Sequence, residues 1–249
     1  MNNDIHKKFI SGLGAGVINT VLFNPVDKAI YLMIRDNKSL FDSSVWKNPY
    51  RGVSQAFYGR VMGYGIYFTL FDVYRENFNM SVLASSIGTG CTTAVLTSPI
   101  NVIKMFNWNQ DTNNKKLRIL GMEMYKKYGY SVFFKGLECT MLRDSLFSSI
   151  FYGLSTKYNE EKNMVKDICF GTIGTIVASP INYARNEKYF NFDKKITVID
   201  VTKELFTDIK NGNIKNLIFH KLNIGWGTLR VGVGMALSKQ IYETILAKV

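Results

Sequence analysis

The sequence predicts an all-α membrane protein, six transmembrane helices arranged as three repeats within a single domain covering residues 1–249. Three observations lead there. The first is a recurring segment, Phe23-Asn24-Pro25-Val26-Asp27-Lys28, whose relatives Thr97-Ser98-Pro99-Ile100-Asn101 and Ala178-Ser179-Pro180-Ile181-Asn182 hold, with it, three of the four prolines. The prolines stand 74 and 81 residues apart, which divides the chain into similar thirds of approximately 1–78, 79–160 and 161–249. The second is that Gly16, Gly90 and Gly171 lie nine residues before these prolines, with Gly12, Ser86 and Asp167 thirteen before. Registration at a fixed period marks an internal repeat, and small residues four apart let helix backbones approach closely in a membrane. The third is the stretch from Asn77 to Ile103, 27 residues without a charge, longer than the roughly 20 residues that cross a bilayer.

The elements follow in order. A first helix is expected from about Ile5 to Met33, broken at Pro25 because proline removes a backbone hydrogen bond and crowds the preceding turn. A polar connection from Asp42 to Asn48 leads to Tyr50-Arg51-Gly52, which opens a second helix ending near Arg75. The third runs from Ser81 to Trp108, through Pro99. The basic stretch Lys115 to Lys127 reads as a surface helix, because Leu117, Leu120 and Met124 oppose Lys116, Arg118, Lys126 and Lys127, a pattern suited to a membrane interface. The fourth long helix spans Leu137 to Tyr158, and the fifth Val165 to Tyr189, through Pro180. A second surface helix covers Val198 to Lys210, and the sixth long helix Lys221 to Leu246. An even number of spans puts both termini on one side.

Composition narrows the function. Apolar residues make up 47% of the chain, yet mean hydropathy is only −0.02; six helices around a wet cavity reconcile the two, since each then needs only a lipid-facing apolar stripe. The net charge of +12 favours an anionic partner, although positively charged loops at a membrane surface account for much of it. The start has neither the apolar core of a secretory signal nor the character of a cleaved transit peptide, so internal targeting is expected. Cys91, Cys139 and Cys169 show no paired spacing and read as packing residues. With only His6 and His220 besides, no metal site, cofactor or catalytic residue is indicated, and an enzyme is not expected. Nothing suggests a nucleic-acid partner.

The three segments resemble the repeat of the mitochondrial carrier family, Pro-x-Asp/Glu-x-x-Lys/Arg on odd-numbered helices, and the resemblance covers almost the whole chain. It implies a six-helix barrel with pseudo-threefold symmetry around a central cavity, transporting a solute by alternating access across the mitochondrial inner membrane as a monomer. Every repeat here is shorter than the family's hundred or so residues.

Residue by residue, the resemblance assigns a gate at each end of the barrel. On the matrix side, Asp27 faces Lys104 as a full ion pair, Asn101 faces Arg185 as a hydrogen bond, and Asn182 faces Ile30 without interaction. On the cytoplasmic side, the aromatic-acid-x-x-base motif is intact as Phe71-Asp72-Val73-Tyr74-Arg75 and decays to Ser155-Thr156-Lys157-Tyr158-Asn159 and Tyr242-Glu243-Thr244-Ile245-Leu246. Glu243 then bridges Arg75, Asp72 contacts Asn159 more weakly, and the third pair is lost. Each end keeps one ion pair. The aromatic-basic-Gly signature, which in the family holds a cardiolipin phosphate at a helix start, appears as Arg51-Gly52 and Lys135-Gly136 and is degraded at Phe219-His220-Lys221-Leu222; ordinary helix punctuation is the alternative.

Three of only eight arginines, Arg60, Arg143 and Arg230, fall at or beside the family's three contact positions, Gly59, Arg143 and Arg230, each thirteen residues before Asp72, Thr156 and Glu243. Arginine in mid-membrane marks a functional site, and its guanidinium fork grips phosphate or carboxylate in a way lysine cannot. Internal pairing is the alternative for Arg60. The resulting expectation is a nucleotide or deoxynucleotide such as ATP, ADP, dATP or dTTP, exchanged with its phosphates on Arg143, Arg230, Arg60 and Lys104 and its base near Gly59, Tyr64 and Tyr67. Arg143-Asp144 also resembles carriers of amino acids or carboxylates, and a non-transporting membrane scaffold is a third reading. Asp144 must be neutralised by Arg60 or Arg143 if phosphate is to bind. The abundance of Lys, Ile and Asn suggests an AT-rich gene, and a short carrier of this kind resembles those of large DNA viruses.

Overall fold

The computed structural model describes residues 2–36, 38–50, 53–109, 116–159, 163–193 and 196–248. Six long helices, α1 (Asn2–Asp36), α2 (Val53–Glu76), α3 (Val82–Asn109), α5 (Leu137–Tyr158), α6 (Met164–Phe190) and α9 (Trp226–Leu246), pack each on the next and the last on the first, closing a ring. Two shorter helices, α4 (Leu117–Tyr128) and α7 (Val198–Lys210), lie beside α3 and α6, and a one-turn α8 (Ile214–Asn216) precedes α9. No strand occurs among the described residues.

The registered glycines explain how the ring is held. A β-carbon built on Gly16 would stand 2.7 Å from Cα of Val61, on Gly90 2.7 Å from the backbone nitrogen of Ser145, and on Gly171 2.9 Å from Cα of Gly232. Each distance is too short for any side chain, so only glycine permits the contact. Val61, Ser145 and Gly232 are themselves equivalent, two residues beyond the contact positions 59, 143 and 230. Within every repeat, then, the odd helix meets the even one backbone to backbone at the depth where the contact residues stand.

The helices run on through all three prolines, including Pro25, where a break was expected. At Pro180, the carbonyl freed by the missing N–H, that of Ile176, instead accepts the Ser179 hydroxyl at 2.7 Å. In the first two repeats the residue before proline reaches outward: Asn24 donates to the Pro49 carbonyl at 3.2 Å and Ser98 to that of Phe133 at 3.0 Å. Pro49 and Phe133 are equivalent, each three residues before the glycine of the helix-start signature. Ser179 has no such contact, and the third copy of the signature is a π-turn over Leu217–Lys221. Lys28 is likewise a fastener, donating to the carbonyls of Lys47 (2.8 Å) and Asn48 (2.5 Å).

α4 has the expected amphipathic face, with Leu120 and Met124 fully buried in a cluster with Tyr31, Val102, Met105 and Tyr189. α7 begins in a capping box: the Thr197 hydroxyl accepts from the backbone N–H of Asp200 while the Asp200 carboxylate accepts from that of Thr197, satisfying two helix-start donors. Those bonds hold the Asp200 carboxyl below its ordinary range. By length and apolar content alone, two helices of the described residues suffice to cross a membrane, over Ile5–Ile34 and Met164–Tyr189. The uncharged run of α3 does not qualify, being rich in Ser, Thr and Gly.

Candidate functional site

A cavity of about 400 Å³ occupies the proline-side half of the ring. Its wall brings together Asp27 of α1, Arg60 of α2, Asn101 and Lys104 of α3, Arg143 and Asp144 of α5, Asn182 and Arg185 of α6, and Arg230 of α9. Every one of the six long helices contributes, because the contact positions and the proline motifs point inward at neighbouring depths. Five cations face two carboxylates there.

Asp27 sits between two of the arginines. Its carboxylate accepts from Arg230 Nη2 at 2.8 Å, lies 2.5 Å from Arg230 Nε as an ion pair, and is also ion-paired to Arg60. The expected matrix-side partner, Lys104, lines the same cavity. Arg230 is braced from behind by the Phe23 ring, 4.7 Å from its guanidinium carbon, and by Asn19 Oδ1 at 3.4 Å. Asn19 is in turn fixed through its amide to the carbonyl of Gly234 and the hydroxyl of Ser238, both at 2.9 Å. Arg60 keeps one buried nitrogen, Nη1, without a hydrogen-bond partner.

Arg143 and Asp144 pair with each other. Arg143 Nε donates to Asp144 Oδ1 at 2.7 Å, Nη2 reaches the same oxygen, and Nη1 donates to Asn182 Oδ1 at 3.3 Å. Asp144 is thus neutralised by its own neighbour, as an anion site requires, and Asn182 orients Arg143 rather than facing Ile30. Asn101 donates to Thr97 on its own helix (3.2 Å) and Arg185 to Asn186 (3.1 Å), so the expected Asn101–Arg185 contact is absent. Asn101, Arg185, Asn182 and Ile30 all line the cavity, and neither of these motif pairs is bonded across it. Gly59 does not line it; a β-carbon there would lie 3.3 Å from Ile100 Cγ2, which makes Gly59 part of the α2–α3 seam. Tyr64 and Tyr67 also lie elsewhere, in the seal at the opposite end.

That seal uses residues the motif reading passed over. Tyr67 of α2 and Ser148 of α5 share a hydrogen bond at 2.7 Å. Lys239 of α9 donates to Ser155 of α5 at 2.6 Å and pairs with Asp167 of α6 at 2.9 Å. Tyr242 of α9 donates to Asp72 of α2 at 2.5 Å. Each pair of even helices is therefore linked once, and stacked rings fill the middle, Phe71 on Tyr152 at 3.7 Å and Phe68 on Tyr242 at 4.5 Å. Of the expected cytoplasmic-side residues, Arg75 donates to the Met80 carbonyl in the turn after α2 (3.2 Å), and Asn159 bonds to Asn163. Two residues signal the substitutes in the sequence: Lys239, a lone charge in an apolar run, and Asp167, a charge at a small-residue position.

For the helix-start signature, Arg51 and Gly52 lie outside the described residues. Lys135 Nζ donates to the carbonyls of Asn191 (2.8 Å) and Phe192 (2.7 Å). Gly136 takes a left-handed conformation, φ 73°, ahead of α5, so the first amides of α5 are what this position offers an anion.

A model of the mitochondrial carrier protein family matches residues 77–166. The human mitochondrial glycine transporter is 28% identical over 193 residues, covering 66% of this chain and 60% of that protein. The yeast mitochondrial FAD carrier protein FLX1 is 26% identical over 192 residues, 60% of this chain and 58% of its own length. An uncharacterized mitochondrial carrier of fission yeast is 34% identical over a shorter stretch, 38% of this chain and 43% of that protein. The matches thus span about three fifths of the length of the first two relatives.

Proposed function

This chain belongs to the mitochondrial carrier family, and from that premise we propose that it carries a phosphate-bearing anion, a nucleotide, across the mitochondrial inner membrane as a multi-pass transporter working by alternating access. The charge of the cavity carries this reading. Arg60, Lys104, Arg143, Arg185 and Arg230 exceed Asp27 and Asp144 by three positive charges. Like charges gathered around one cavity repel one another, and a nucleoside di- or triphosphate bound among them would offset that repulsion. The volume of about 400 Å³ lies in the range of small-molecule sites. Because α5 starts with unpaired amides at Gly136, an anionic lipid such as cardiolipin is the proposed membrane partner, with the transporter acting as a monomer.

A second reading rests on a specific observation: Arg143 and Asp144 place opposite charges side by side, which suits a zwitterion, and the human relative is by name a glycine transporter. Liposomes carrying the purified protein and preloaded with ATP, FAD or glycine decide between them. Exchange of labelled ATP or FAD, abolished by Arg143→Ala or Arg230→Ala, supports the proposal. Glycine exchange without nucleotide exchange, lost in Asp144→Asn, establishes the second reading, and no exchange of any labelled solute by folded protein establishes a scaffold.

A further inference from the structure

Asp27 occupies the place in the cavity where an anionic substrate would bind. Its carboxylate is shared by Arg60 and Arg230, two of the three arginines at the contact depth. Arg230 would not follow a departing Asp27, because the Phe23 ring and the Asn19 amide, itself tied to Gly234 and Ser238, hold it from the other side. Arg60 retains a buried donor, Nη1, that nothing in the structure satisfies. The two guanidiniums together therefore offer a fixed, under-filled anion site in which the protein's own carboxylate is the occupant.

Resting on the proposed anion transport, we infer that Asp27 is an internal competitor for the substrate: an incoming anion takes its place on Arg60 and Arg230, and the released carboxylate becomes available to close the proline-side end. The two roles need one residue because Asp27 stands in the Pro-x-Asp position on α1 and, in this open state, reaches the arginines of α2 and α9. Binding and closure are then a single exchange of one anion for another at the same two guanidiniums. A carboxylate and a phosphate cannot both be accommodated there, since two anions sharing a site repel.

The consequence separates affinity from turnover. With the competitor removed, Asp27→Asn binds a polyanion about tenfold more tightly, a factor equal to about 1.4 kcal/mol, yet transports it more slowly because closure loses its carboxylate. If Asp27 merely oriented the arginines, the same change would weaken binding; if it were a gate residue alone, affinity would stay constant while Vmax fell. The measurement is thermal stabilisation of the detergent-purified protein by ATP and by inorganic pyrophosphate, beside KM and Vmax for ATP in liposomes. Asp27→Ser serves as a second neutral variant should the asparagine protein fail to fold, and Asp27→Glu, which keeps the competing charge, stays within about twofold of wild-type affinity. Tighter binding with lower Vmax in a neutral variant is the expected result. Unchanged or weaker binding in both neutral variants overturns the inference, whereas a wild-type protein stabilised by neither ATP nor pyrophosphate overturns the anion reading beneath it.

Discussion

Replacing Gly90 by alanine tests whether backbone contact between odd and even helices sets the architecture. The new β-carbon would lie 2.7 Å from the nitrogen of Ser145, 2.8 Å from the carbonyl carbon of Asp144 and 2.9 Å from Cα of Ser145. All three are backbone atoms, so no rotamer change relieves the clash and α3 must withdraw from α5 by about 0.7 Å to restore ordinary contact. Overpacking of this kind costs about 1–3 kcal/mol. Alanine also favours helix over glycine by about 1 kcal/mol, and Gly153 isolates that gain: it lies on the same α5, exposed, with nothing within 4 Å of an added β-carbon. Gly153→Ala should therefore raise the melting temperature of the purified protein by about 2–4 °C, and Gly90→Ala should melt about 2–12 °C below it, at 2–4 °C per kcal/mol for a chain of this size. Gly16→Ala and Gly171→Ala should behave as Gly90→Ala does. A Gly90→Ala protein as stable as Gly153→Ala would refute the argument, since it would mean the helices are not held at backbone contact.

Two further outcomes concern the seal and the surface. Lys239→Met leaves Asp167, only 1% exposed, as a buried carboxylate without its ammonium, and breaking such a pair costs about 3–5 kcal/mol; a thermal melt should show the loss, and Lys239→Met with Asp167→Leu should recover most of it. The Asp200 carboxyl is held below its usual 3.8 by bonds to Thr197, so its contribution to α7 is complete above that value and is lost as pH falls through the lower, folded one. Amide exchange in Val198–Lys210 should accordingly quicken, after correction for intrinsic rates, only below pH 3.8, and a change beginning near neutrality would contradict the capping box.

How far the sequence could be read depended on whether a residue's role was set within its own repeat or between repeats. Gly16, Gly90 and Gly171 act within a repeat, and their spacing from proline announced both the helices and the seam. The same holds for Leu120 and Met124, whose period placed them under α4. Asp27, Asn182 and Tyr242 bond to helices of other repeats, Asp27 to Arg230 as well as to Arg60 of its own repeat, and spacing within a repeat does not name such partners. With the proline end open, Asp27 turns to Arg60 and Arg230, while Asn182 steadies Arg143. At the sealed end the motif itself has decayed: Thr156 and Leu246 bond to nothing across the ring, and the links have passed to Ser155, Lys239 and Tyr242, which no pattern marked as a set. Pairwise spacing cannot register such a transfer, because each replacement residue, a serine, a lysine or a tyrosine, has an ordinary reading where it stands. The break expected at Pro25 does not occur, and at Pro180 the hydroxyl of Ser179 supplies the carbonyl of Ile176 with the donor that proline removes.

On the proposed reading of the chain as an anion transporter, exchange without leak would follow from the position of Asp27. For the empty transporter to close its proline end, that carboxylate must leave Arg60 and Arg230, and two buried guanidiniums then face each other with no anion between them. Stranding charge in this way costs about 3–5 kcal/mol, which lowers the closed, empty state by a factor of about 10²–10³. An anion on the two arginines removes that cost, so the loaded carrier crosses and the empty one does not. Liposomes preloaded with unlabelled ATP should therefore take up labelled ATP at least about a hundredfold faster than empty liposomes do, and net efflux into nucleotide-free buffer should be slower than exchange by a similar factor. Neutralising the cost at its source should narrow the gap: in Arg60→Gln a single guanidinium, Arg230, is left behind, and the ratio of exchange to net efflux should fall. Equal rates of net efflux and exchange in the wild type would show that the empty carrier closes freely, and that Asp27 is not what holds it open.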